Sequence, residues 1–273
     1  MPVKKDGSGK RWVEMEFLAP GTPEEIWRAM ATGPGYAAWF IKASIEERVG
    51  GVLRFEFGPG VSTSGEVTAW EPPVRFGYVE TDWMEGAPPV ATEITITGRA
   101  GGQCVVRMVH SLFTSKDDWD DQLESFQGGW PGFFEVLRLY LTHFTGQRGT
   151  PFQVMAMGVG SEDLPVWTRL TEALGLAGAN VGEQRTAASG PQALSGVVER
   201  VHQDRKVRWI TMRLSAPAPG IAIIGTYRGG DGVNASMSLF FYGDDAEQTA
   251  ATSEPKWRDW LGKTFPSVSP AVA

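Results

Sequence analysis

Among its 273 residues the chain has one cysteine, Cys104, and three histidines, His110, His143 and His202. A lone thiol excludes a disulfide framework, and so few soft ligands exclude a structural zinc site; no metal is expected. No apolar run nears the roughly 20 residues a membrane helix needs, so no membrane partner is expected. Met1–Lys10 is polar and charged with no apolar stretch. No secretory signal is expected there, and a reduced cytoplasmic setting fits. Several catalytic signatures are missing. There is no Gly-x-Ser-x-Gly elbow. Gly158-Val159-Gly160 lacks the rest of a dinucleotide fingerprint. Gly7-Ser8-Gly9-Lys10 lacks the earlier Gly and the following Ser/Thr of a phosphate loop, and is expected to be a flexible tail that follows no strand. No cofactor is expected.

What is present is ordinary globular material, 42% hydrophobic and 21% charged, long enough for one large domain or two modest ones. The charge is uneven. Residues 1–146 carry 13 Lys/Arg against 20 Asp/Glu, and residues 147–273 carry 12 of each. An acidic first half cannot neutralise a phosphate backbone over a continuous surface, so nucleic acid is not an expected partner.

The first half reads as strand, helix, many strands, long helix. Val13, Met15 and Phe17 alternate with Glu14 and Glu16, a half-buried strand. Thr22-Pro23-Glu24-Glu25 is a helix start with Pro at the first position and a capping box. Gly33, Pro34 and Gly35 break that helix before a short 36–40 segment. A meander follows, with Leu53, Phe55 and Phe57 on one face, then Ser64–Glu71, Phe76 with Tyr78, and a hairpin of Thr92–Thr97 and Cys104–Ser111 turning at Gly101-Gly102. Phe133, Leu137, Tyr140 and Phe144 recur at helical spacing over about three turns, and Gly146 can end that helix. The second half repeats the order. A strand over 152–159 precedes a helix capped by Ser161, with Val166, Leu170 and Leu174 as its stripe and Gly175 as its end. More strands follow, near 197–201, 207–214, 221–227 and 235–242. A short closing helix carries Trp257, Trp260, Leu261 and Phe265. Trp167 sits 140 residues after Trp27, at a similar place in its helix. The pattern is an internal duplication, with domains 1–148 and 149–273; the alternative is two unrelated α+β domains.

The first half also resembles a known family. Ala19-Pro20 with Pro23-Glu24-Glu25-Ile26-Trp27-Arg28-Ala29-Met30, Ala38-Trp39-Phe40, Gly50-Gly51 before Phe55, Gly65-Glu66-Val67 before Pro72-Pro73, His110-Ser111, and Gly129-Trp130-Pro131-Gly132-Phe133 follow in that family's order. Over about residues 11–146 the chain is similar to the activator-of-heat-shock-protein-90-ATPase-like branch of the START (SRPBCC) superfamily. The second half resembles a degenerate copy. The resemblance implies an α+β helix-grip fold: a curved antiparallel sheet around a long C-terminal helix, duplicated in tandem as an intramolecular pseudo-dimer. It also implies an apolar cavity between helix and sheet, holding a small ligand in some members, while other members bind a chaperone.

The expected ligand-binding residues are Trp39, Phe55, Phe57, Met108, His110, Trp130, Phe133, Phe134, Leu137 and Tyr140, offering aromatic faces to a flat or greasy molecule. The competing expectation is a closed core. An empty pocket of about 300 Å³ would cost roughly 7 kcal/mol, against a total stability of about 5–15 kcal/mol, so a true hollow must hold ligand or water, or collapse. His110 shares strand parity with Cys104, Val106 and Met108 and should point inward. There it can orient a ligand carbonyl or act as acid or base, or simply be hydrogen-bonded in the core. Glu80, Asp82 and Glu93 are its candidate carboxylate partners. Beyond His110 no catalytic residue is assigned. The acidic run Asp117-Asp118-Trp119-Asp120-Asp121 lacks the spacing of a calcium loop and reads as a solvated helix start.

Three functions follow. The first is non-catalytic binding of a small hydrophobic or aromatic molecule. The second is a chaperone-regulating, stress-related interaction with a protein partner. The third is a cyclase, dehydratase or hydrolase-like reaction in the same cavity.

Overall fold

In the computed structural model, which describes residues 3–58, 60–114, 116–229 and 232–267, the alternation of Val13, Met15 and Phe17 forms the inner face of strand β2 (Lys10–Pro20). A two-residue strand, β1 (Lys4–Lys5), pairs with its start. The segment between them, expected to be a loose tail, is instead a turn. Asp6 accepts hydrogen bonds from the Ser8 amide at 2.9 Å and the Ser8 hydroxyl at 2.6 Å.

Helix α1 (Pro23–Ala31) starts as its sequence dictates. The Glu25 amide donates to the Thr22 hydroxyl, and the Thr22 amide donates to the Glu25 carboxylate. Helix α2 (Gly33–Ala37) follows at once. A Cβ on Gly35 would lie 1.9 Å from the Arg28 carbonyl oxygen, so only glycine lets the two helices approach this closely.

Six strands come next: β3 (Lys42–Ile45), β4 (Val52–Gly58), β5 (Val61–Glu71), β6 (Arg75–Glu80), β7 (Val90–Arg99) and β8 (Gln103–Phe113). Gly101 and Gly102, at φ +82° and +67°, turn β7 into β8. The sheet order is β1-β2-β8-β7-β6-β5-β4-β3, antiparallel throughout. The first long strand therefore closes on the last.

Helix α3 (Asp120–His143) lies across the inner faces of β2 and β8. It begins well before the apolar stripe at Phe133, because it runs straight through Gly128, Gly129, Pro131 and Gly132. In a helix interior each glycine costs about 1 kcal/mol and proline about 3. Burial of Leu123, Trp130, Phe134 and Leu137, at about 2 kcal/mol each, offsets that cost. Of the acidic run, Asp117, Asp118 and Asp121 are exposed. Asp120 instead forms an ion pair with Arg11, tying the first turn of α3 to β2.

Contacts divide the chain between Arg148 and Gly149. The second unit comprises β9 (Gly149–Gly160), α4 (Asp163–Leu174), β10 (Gln184–Ala187), β11 (Leu194–Gln203), β12 (Val207–Ala216), β13 (Gly220–Gly229), β14 (Gly232–Tyr242) and α5 (Ala246–Thr264). Its sheet order is β10-β11-β12-β13-β14-β9. Again the first strand pairs with the last, and again a long helix closes the unit. Both units are thus α+β helix-grip domains in tandem, the second built on a six-stranded sheet.

Two expectations for the second unit are corrected. Ser161 does not cap α4. The N-cap is Glu162, without a side-chain cap, and Asp163 turns inward to pair with Arg208 and accept from the Thr226 hydroxyl at 2.7 Å. The closing helix is not short but 19 residues long. Its front half buries Ala246, Ala250 and Ser253, whose side chains are too small to register as an apolar stripe. Gly175 ends α4 in the left-handed conformation, as expected. Among the described residues no helix is long and apolar enough to cross a membrane.

Candidate functional site

Alternation along β8 sends Cys104, Val106, Met108 and His110 to the inner face of the first sheet, and all four are buried. His110 stands opposite Thr92 on β7 and Val13 on β2. Its Nδ1 lies 2.9 Å from the Thr92 hydroxyl oxygen, while its Nε2 is buried without a hydrogen-bond partner. Burial alone pulls the imidazole pKa down to about 3, so the ring is neutral at ordinary pH.

Facing it, α3 presents Phe126, Trp130 and Phe134, one turn apart on one side of the helix. Trp130 lies parallel to the His110 ring, and Phe126 lies 5.0 Å from it. Phe134 stacks on Trp130 at 5.6 Å and on Phe17 at 4.0 Å. Rings from helix and sheet therefore meet in a column. Trp39 sits 6.0 Å from Trp130, its indole N–H donating to the Ala29 carbonyl at 2.8 Å. Phe55 is buried 5.1 Å from Tyr36 and 5.7 Å from Tyr78.

Phe133 and Phe40 are half-buried and meet edge-to-face at 4.8 Å. Phe57 was expected to face inward with Leu53 and Phe55, but it is 38% exposed. The register of β4 against β5 shifts between Glu56 and Gly58, and such a bulge interrupts strict alternation. Phe57 still reaches Phe40, at 6.4 Å, so an aromatic path leads from the surface through Phe40 to Trp130 and His110. Leu137 is buried farther along α3. Tyr140, about 15 Å beyond Trp130 along the helix axis, directs its hydroxyl at the Gln147 carbonyl, 3.4 Å away.

The three carboxylates proposed as partners of His110 are engaged elsewhere. Glu80 accepts from the Thr63 hydroxyl at 2.6 Å, Asp82 from the Ser64 hydroxyl at 2.8 Å, and Glu93 pairs with Arg75. The partner of His110 is Thr92, which cross-strand register alone could reveal. Burial, aided by the Asp82 charge and opposed by the Thr63 hydrogen bond, pushes the Glu80 carboxyl up to about 7. Two buried phenols lie near it. Burial raises Tyr36 and Tyr78 above the usual tyrosine value; the two phenols also act on each other, Tyr36 raising Tyr78 and Tyr78 partly opposing the rise of Tyr36, and the Glu80 charge raises both. Tyr36 Oη has no partner at hydrogen-bonding geometry.

The Cys104 thiol points at the Gly21 carbonyl, and burial pushes its pKa up, which suppresses thiolate chemistry. His202 stacks on Trp209 and meets Asp204 at 3.0 Å. Among the described residues, no three His, Cys, Asp or Glu side chains are placed to hold a metal ion. In the second unit a surface cleft of about 420 Å³ lies by the start of α4, between Val159, Pro165, Arg169 and Phe265; nothing in the sequence pointed to it.

Residues 20–142 match the family model described as Activator of Hsp90 ATPase homolog 1-like protein. No curated protein matches the chain. Similar solved structures include protein MLL2253 from Mesorhizobium loti, 27% identical over 49% of this chain and 98% of that one, with a TM-score of 0.45. DynU16, described as a putative protein in the dynemicin biosynthetic locus, is 21% identical over 93% of this chain and 95% of its own, with a TM-score of 0.42. The di-domain ARO/CYC BexL from the BE-7585A biosynthetic pathway is 12% identical over 95% of this chain and 100% of its own, with a TM-score of 0.45.

Proposed function

We propose that the first unit, whose residues 20–142 match the Activator of Hsp90 ATPase homolog 1-like family model, binds a small hydrophobic or aromatic molecule between α3 and the sheet without transforming it. The observation that carries this reading is the His110 Nε2 atom, fully buried, unpartnered and walled by the rings of Trp130 and Phe126. A buried polar atom left unpaired costs about 1–3 kcal/mol, a cost that a bound ligand group would remove.

The mouth of the site is the exposed Phe57 with the half-buried Phe40 and Phe133. The weak stretch of α3 at 128–132 lets the front of that helix yield as a ligand enters. Binding is favoured over catalysis because His110 is held by a neutral hydroxyl and kept neutral by burial. A general base is usually oriented by a carboxylate and poised near the working pH.

Native mass spectrometry of the full chain, with a library of lipids and aromatic compounds, tests the proposal. A one-to-one adduct lost on Trp130→Ala supports it. A library that yields no adduct and no thermal shift overturns it.

A further inference from the structure

The inner face of the first sheet carries a row of polar groups where a closed core would place apolar ones. Tyr78 on β6, Thr92 on β7 and His110 on β8 stand directly opposite one another across three strands. Glu80, two residues beyond Tyr78 and so on the same face of β6, is bonded to Thr63 of β5. Tyr36 enters from α2, stacked on Trp39 at 5.6 Å. Two atoms of this group, Tyr36 Oη and His110 Nε2, are buried with no partner at hydrogen-bonding geometry, although the Tyr36 and Tyr78 phenols are close enough to act on each other. Phenylalanine would fill either position with nearly the same shape and remove the unsatisfied atom itself. Against the row stand the faces of Trp130, Phe126 and Phe134. A guest that parts the two, as the front of α3 yields, would have rings on its face and hydrogen-bonding groups along its edge.

The hydrogen bond between Thr92 and His110 can run in either direction. If the Thr92 hydroxyl donates to Nδ1, then Nε2 carries the proton and seeks an acceptor. If Nδ1–H donates to Thr92, then Nε2 seeks a donor. A phenolic hydroxyl satisfies both cases, and it equally satisfies Tyr36 Oη. Resting on the ligand-binding reading above, we propose that this interior selects flat aromatic molecules bearing a phenolic hydroxyl over bare aromatic hydrocarbons, with His110 Nε2 and Tyr36 Oη as the recognising atoms.

Titration of the full chain with naphthalene and with 2-naphthol, followed by quenching of tryptophan fluorescence, decides it. The expected result is 2-naphthol at least 10-fold tighter than naphthalene. That margin should shrink to within about 3-fold in the double variant Tyr36→Phe/His110→Phe, with Tyr36→Phe alone serving if the double variant fails to fold. Equal binding of the two probes would overturn the phenol preference while leaving a hydrocarbon-binding site standing. Binding of neither would overturn both.

Discussion

The His110 and Trp130 rings lie 5.7 Å apart with only 11° between their planes. One is placed by strand alternation and the other by helical spacing, so their meeting records the grip of α3 on the sheet. The polar edge of His110 is what distinguishes this contact from simple core packing.

Thr92 and His110 should behave as a coupled pair. Thr92→Val leaves Nδ1 buried without a partner and should cost about 1–3 kcal/mol. The double variant Thr92→Val/His110→Phe replaces both partners by apolar groups and should recover most of that loss. Urea denaturation of wild type, both single variants and the double variant closes the cycle; additive losses would show that the two side chains do not interact.

Stability against pH should carry opposing contributions from His110 and Glu80. His110 has a folded value of about 3 against 6.5 when free, so the unfolded chain binds its proton first, and stability falls as pH drops from 6.5 toward 3. Glu80 has a folded value of about 7 against 4.5. The folded chain holds that proton longer, so stability falls as pH rises from 4.5 to 7. Between about pH 4.5 and 6.5 the two slopes cancel. Glu80→Gln should expose the His110 slope, about 1.4 kcal/mol per pH unit. Denaturation midpoints at pH 4.5, 5.5 and 6.5 measure it, and parallel profiles for wild type and variant would refute it.

The glycines of α3 offer a gain in stability. A Cβ at Gly128 or Gly129 meets nothing within 4 Å, so Gly128→Ala and Gly129→Ala should each stabilise by about 1 kcal/mol. A stiffer front to α3 should also slow ligand uptake. Thermal melts and stopped-flow binding with 2-naphthol report the two effects separately.

Gly35→Ala should act in the opposite sense. Its Cβ would collide with the backbone of α1, and a fixed helix–helix contact cannot relax cheaply, so a loss of about 3 kcal/mol or more is expected. A melting temperature within a degree of wild type would contradict this packing.

Much of the frame was legible in the residues themselves. The alternation in β2, the capping box of α1, the Gly101-Gly102 turn and the inward parity of His110 are local signals, and local physics sets them. What escaped depends on distant pairing. Thr92 becomes the partner of His110 only through the register of β7 on β8, and Tyr36 joins the row only through the placement of α2. Phe57 escaped because a bulge shifts the register at the end of β4. The helix start in the acidic run 117–121 was legible, but its continuity into the stripe at Phe133 escaped, because Gly128, Gly129, Pro131 and Gly132 argue against a helix that tertiary burial nevertheless holds.

The closure of β2 on β8 sets the order in which the first unit can be completed on the ribosome. Lys10 pairs with Phe113 and Pro20 with Gln103, so the long emerging strand waits for most of the domain to be made. At about 5–20 residues per second, that delay is roughly 5 to 20 s. Throughout it the apolar side of β2, with Val13, Met15 and Phe17, has no mate in its native sheet beyond the two residues of β1. The nascent chain therefore carries a sticky ribbon for seconds, the interval in which a holding factor would act on it.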